Sequence, residues 1–149
     1  MQMLGSSMIK QPISIALFAA LAIAVTAAFA QETPESPLTV DGATTIDAHQ
    51  AKELHDRGVP FVDVRNPELW EAAHIPGAHF LEFFSTFDEA SLLKIGTKDN
   101  EVVIYCAGPS CKRSSKACAK AAAWGFQNVY YFRGGFPEWQ AAGYPTDPP

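Results

Sequence analysis

Residues 101–125 read EVVIYCAGPSCKRSSKACAKAAAWG, and no other stretch restricts the fold as much. Val102 to Tyr105 is a strand-forming run too short for a helix, and it leads straight into Cys106. A loop with Gly-Pro follows, and then an alanine-rich helix that Gly125 closes. A buried strand feeding a helix is half of a β–α unit and needs parallel neighbours. PFVDV at 60–64 and NVYYF at 128–132 supply two. Residues 44–58 predict a short extended entry, an Asp47 N-cap, a helix with Ala48, Ala51 and Leu54 facing inward, and a stop at Gly58. NPELWEA gives a turn into one helical turn with Pro67 at an early position. HIPGAHFL gives a turn and a short extended piece, FFSTFDEASLLKIG one or two short helices, and GGFPEWQAAGYP a turn, a short helix and a stop. Strands alternating with helices under right-handed crossovers make the class α/β. Ligands of such sheets sit beyond the carboxyl ends of the strands, which is where Cys106 falls.

A chain of 149 residues suits one domain. The start departs from the rest: Lys10 and no acid, then ISIALFAALAIAVTAAFA from Ile13 to Ala30. A basic start, an apolar stretch and small residues at Ala28 and Ala30 predict a signal peptide over 1–30, cleaved after Ala30. The rival is a retained membrane anchor, which the Ala-rich run disfavours. Residues 31–37, rich in Pro and acid, are expected to be a flexible leader, with the folded domain over 38–149. Cleavage removes one cation and no acid, so the formal charge of −5 becomes one unit more negative. That balance speaks against a nucleic-acid partner. The expected location is periplasmic or secreted. In that setting three cysteines predict one disulfide and one free thiol. The spacing of Cys106 and Cys111 is too long for a zinc knuckle, and no metal is expected.

Cys106-Ala107-Gly108-Pro109-Ser110-Cys111 joins strand to helix. A curled loop here turns backbone N–H groups inward, and the helix dipole adds positive potential. A thiol at its start is held partly as the thiolate and is nucleophilic. Lys112 and Arg113 stand in the first helical turn, where cations oppose the dipole by about 0.3–1 kcal/mol each when exposed. Drawing in an anionic substrate accounts for that placement; a solvated helix face accounts for it equally. Lys116 and Lys120 fit the solvated face. These residues leave sulfur transfer, phosphate-ester cleavage and thiol redox chemistry all open.

Three blocks of sequence narrow the choice. FVDVRNPELWEAAHIPGAHF resembles the N-terminal signature of rhodanese-like domains, with its Asp-x-Arg element, Pro-Glu turn and His-Ile-Pro-Gly-Ala. VVIYCAGPSC stands where that family's active loop follows a strand, and GFQNVYYFRGGFPEWQAAGYP resembles its Gly-Gly-x-x-x-Trp ending. The resemblance covers most of 43–145 and implies a central, mostly parallel sheet with helices on both faces. It implies a sulfurtransferase whose catalytic Cys106 takes sulfane sulfur from a donor such as thiosulfate and passes it to a thiol or cyanide, with no cofactor. Ala107, Gly108, Pro109, Ser110 and Cys111 then form the substrate-binding cradle through their N–H groups, helped by Lys112 and Arg113. The chain departs from the family in having Cys111 where many members have Arg, and Ala73 before His74 where Gly is usual. The Cys-x6-Arg interval also fits poorly to the Cys-x5-Arg loop of related phosphatases.

Two other readings accompany this one: a thiol–disulfide redox protein using Cys106 and Cys111, and a non-catalytic domain that delivers sulfur to a protein partner. Under oxidising conditions Cys111 can close on Cys106 as a disulfide, provided a curled loop brings their Cα atoms within about 7 Å; an extended loop forbids it. Asp63 and Arg65 read as a structural charge pair, and His74 as part of a tight turn rather than a base. Gly134 and Gly135 allow a sharp turn beside the loop. Trp70, Trp139 and Phe83, Phe84 and Phe87 read as core or pocket wall, and Cys118 as a small buried hydrophobe.

Overall fold

The computed structural model describes residues 34–148, so the expected signal peptide and cleavage site lie outside the described residues. Five parallel strands form the sheet: β1 (Ala43–Ile46), β2 (Phe61–Asp63), β3 (His79–Phe80), β4 (Glu101–Tyr105) and β5 (Asn128–Phe132), in the order β1-β5-β4-β2-β3. Every neighbouring pair is parallel, so each connection crosses over, and helices carry the crossovers.

Local chemistry starts and stops these helices. Asp47 caps α1 (Ala48–Asp56) by accepting from the Gln50 N–H, while the Gln50 side chain accepts from the Asp47 N–H, a complete capping box. Asn66 caps α2 (Pro67–Ala72), with Pro67 in its first turn, and Asp88 caps α3 (Glu89–Ile95). The stretch expected to give one or two helices gives one, preceded by a turn at 83–86. The alanine-rich segment is α4 (Arg113–Ala123), and Gly125 leaves it at φ +93°. The last helix is α5 (Gly135–Ala141).

Alternate residues of β4 divide the core. Val102, Ile104 and Cys106 pack with α3 and α4 through Leu92, Ala117, Cys118 and Ala121. Val103 and Tyr105 pack with α1 and α5 through Ala51, Leu54, Phe136 and Trp139. Helices therefore cover both faces. From β2 the chain moves to β3 on one side, and from β4 to β5 on the other. The gap between the carboxyl ends of β2 and β4 is thus the switch point of the sheet, and Cys106 stands at it.

The β2 side of that gap is held by a buried ion pair. Asp63 and Arg65 are 0% and 2% exposed. Arg65 Nη2 and Nε donate to the Asp63 carboxylate at 2.6 and 3.0 Å, and the Arg65 N–H also donates to it at 2.9 Å. Nη2 donates further to the Ala73 carbonyl at 2.7 Å, and the guanidinium lies 4.4 Å from the Phe136 ring centre. Removing one partner strands the other charge in the core. Arg65→Ala should lower unfolding stability by about 3–5 kcal/mol, read from the urea midpoint followed by tryptophan fluorescence. A loss below about 1 kcal/mol, the range of exposed pairs, would show the brace to be dispensable.

Candidate active site

Cys106 follows the last residue of β4 and is 1% exposed. Its carbonyl accepts from the Phe136 N–H at 3.0 Å, which ties the start of the loop to the start of α5. Gly135 makes this contact possible: it sits at φ +59°, and a Cβ there would drive into the Cys106 carbonyl. Gly108, at φ +104°, faces the Gly134 carbonyl and Pro137. The turn expected at Gly134-Gly135 therefore packs directly on the loop.

The loop is curled, and its two cysteines are joined. Cys106 and Cys111 form a disulfide with Cα atoms 6.3 Å apart, within the span that such a bond bridges. A hydrogen bond from the Cys111 N–H to the Gly108 carbonyl at 2.9 Å makes the curl. That bond narrows the expected cradle. Of residues 107–111, Pro109 has no N–H and Cys111 has spent its own. Ala107, Gly108 and Ser110 keep N–H groups with no acceptor among the described residues.

The leader expected over 31–37 differs from the structure at its end. Ser36 is buried, and its N–H donates to the Pro109 carbonyl at 2.7 Å. The Tyr131 hydroxyl donates to Ser36 Oγ at 3.0 Å. Arg133 donates to the Ser36 carbonyl at 3.0 Å and pairs with Glu35 at 2.7 Å. Residues 35–37 are a strap across the outside of the loop. Composition predicted disorder because the segment has little apolar surface to bury. Hydrogen bonds to distant side chains order it instead.

The paired cations part company. Arg113 lies over the ring of Phe84, 5.1 Å from its centre, and Phe84 is 76% exposed rather than core. Lys112 is exposed and lines an open groove of about 480 Å³ with Glu35, Pro37, Ser115 and Lys116. Lys120 lies over Phe83 at 4.9 Å. The start of α4 has no side-chain cap, and Ser114 Oγ is buried without a hydrogen-bond partner among the described residues. Nothing local in the sequence signals the contact of Ser36 with Pro109 or of Arg133 with Ser36, because each joins segments far apart in the chain.

His74, Tyr105 and Cys118 are each held by contacts of the fold. His74 Nδ1 is 2.9 Å from the Trp70 carbonyl, its ring stacks on Trp70, and its backbone pairs with Asp147. Tyr105 is fully buried and accepts from the Ile75 N–H at 3.2 Å; burial, then the Asp63 charge, holds its hydroxyl well above the usual range. Cys118 is buried in α4, and burial alone pushes its thiol far above the ordinary value.

Comparison with known proteins agrees with this geometry. The sequence profile of the Rhodanese-like domain matches residues 47–142. The chain is 32% identical over 102 residues to the thiosulfate sulfurtransferase GlpE of Pseudomonas syringae pv. syringae (strain B728a), covering 68% of this chain and 91% of that one. Its fold is similar to the solution structure of the rhodanese-like domain of the Anabaena sp Alr3790 protein, with a TM-score of 0.59, 30% identity, and 68% and 76% of the two chains covered. It is also similar to the crystal structure of the BH2092 protein of Bacillus halodurans, with a TM-score of 0.62, 27% identity, and coverage of 70% and 76%.

The contrast among the thiols is measurable. In the reduced, folded protein a small alkylating reagent should modify Cys111, which is half-buried at the loop exit, and spare Cys118, which reacts only in denaturant. Peptide mapping by mass spectrometry reads this directly. Labelling of Cys118 at the rate of Cys111 would contradict its burial.

Proposed function

The chain belongs to the rhodanese-like family, and from that premise we propose that it is a sulfurtransferase working through a persulfide on Cys106. Reduction of the Cys106–Cys111 bond supplies the thiolate. The thiolate attacks the outer sulfur of thiosulfate, the sulfur–sulfur bond of the donor breaks, and sulfite leaves with its electron pair. Cyanide or a thiolate then attacks the outer sulfur of the persulfide and restores the Cys106 thiolate. The placement of Cys106 carries this reading. Its sulfur sits at the switch point of the sheet, at the base of a curled loop whose start is clamped by Phe136. N–H groups of Ala107, Gly108 and Ser110, with the dipole of α4, favour negative charge on the sulfur.

After reduction, Cys106→Ser should abolish formation of thiocyanate from thiosulfate and cyanide, while Cys111→Ser retains it. The disulfide favours a second reading, a protein that exchanges electrons through the pair. Loss of thiocyanate as complete in Cys111→Ser as in Cys106→Ser would favour that redox reading.

Lys112 and Arg113 would serve by raising the local concentration of an anionic donor. Replacing both with alanine should raise the KM for thiosulfate severalfold, and the difference should shrink as salt is added. An unchanged KM at low salt would return both to roles seen in the structure, Arg113 against Phe84 and Lys112 in solvent.

A further inference from the structure

The two sulfurs of the loop differ in access and are held together. Cys106 is 1% exposed at the strand end, whereas Cys111 is half-buried at the loop exit. Their bond shows that Cys111 Sγ reaches Cys106 Sγ within this fold. The turn that fixes the Cys111 backbone on Gly108 makes the approach a property of the loop itself.

Resting on the Cys106 persulfide proposed above, we propose that Cys111 is a second catalytic residue, an acceptor built into the loop that resolves the persulfide and releases sulfide. The Cys111 thiolate attacks Cys106 Sγ and forms the disulfide. The bond from Cys106 Sγ to the outer sulfur breaks, and that sulfur leaves with the electron pair as hydrosulfide. The two cysteine sulfurs are oxidised to the disulfide as the sulfane sulfur is reduced to sulfide. A dithiol reductant resets the site. Its first thiolate attacks Cys111, the more accessible sulfur, and expels Cys106 as the thiolate among the loop N–H groups. Its second thiolate then attacks the mixed disulfide and frees Cys111. Over one cycle, thiosulfate and a dithiol become sulfite, sulfide and the oxidised dithiol. The partner class is thus a small protein or compound with two adjacent thiols, and external cyanide is unnecessary.

The full chain, reduced and then cleared of reductant, is mixed with thiosulfate alone. Released sulfide and intact mass are measured. The wild type should release sulfide in proportion to protein and finish as the Cys106–Cys111 disulfide. Cys111→Ser, with Cys111→Ala as a second variant, should release none and retain the added sulfur on Cys106. On adding cyanide, the sulfur retained by either variant should leave as thiocyanate, which identifies it as a persulfide. A wild type that keeps its added sulfur, on either cysteine, and releases no sulfide overturns the resolving role but leaves sulfur transfer standing. A reduced wild type that takes up no sulfur and forms no thiocyanate overturns the sulfurtransferase reading, and the resolving role with it.

Discussion

Burying the Asp63 carboxylate and the Arg65 guanidinium side by side removes two charges from water, at a cost of several kcal/mol per ion before their attraction is counted. The fold recovers that cost by giving each charge several partners. Asp63 takes two N–H groups of the Arg65 side chain and the Arg65 backbone N–H. Arg65 in turn holds the Ala73 carbonyl and lies against Phe136. Phe136 donates to the Cys106 carbonyl. A line of contacts therefore runs from the end of β2, through one guanidinium, to the backbone of the loop cysteine. The 73–75 segment is fixed by the same pair and by Tyr105. Ion pairs of this kind are weak contributors to stability but strict about geometry, and geometry is what a thiol site requires.

The polarity of the sheet explains why the loop, rather than some other connection, is the reactive one. Parallel strands bring all their carboxyl ends to one edge, and the chain leaves β2 and β4 in opposite directions. The loop begins at that gap, and the start of α5 packs against it. Gly135 is the residue with least freedom to vary there, because its missing Cβ is what lets α5 approach the Cys106 carbonyl.

Much of this was legible because the signals are local. Asp47, Asn66-Pro67 and Gly125 mark helix boundaries within a few residues of where they act. Val102 to Tyr105 could only be a buried strand, and Cys118 among alanines could only be small core. The edge strands were less distinct. In β1 Thr44 and Thr45 are exposed and β3 has only two residues, so both read as extended pieces until their pairing with β5 and β2 is seen. The contact of Arg113 with Phe84 was not legible, because it joins segments far apart in sequence. The strap over 35–37 was illegible for the same reason. Its partners Tyr131 and Arg133 lie on and just after β5, and a polar Glu-Ser-Pro offers no periodicity to read.

That strap sets the order in which the site comes into being. Ser36 and Tyr131 are 95 residues apart, and Glu35 and Arg133 are 98 apart. Contacts of such separation carry the largest loop-closure entropy and form after the local helices and the nearer strand pairs. The α5 clamp on Cys106 likewise waits for the last strand to join the sheet. Until those contacts form, Cys106 lacks the neighbours that surround it in the folded domain. It acquires its surroundings only when the two ends of the domain have met across it, so the reactive loop is completed last.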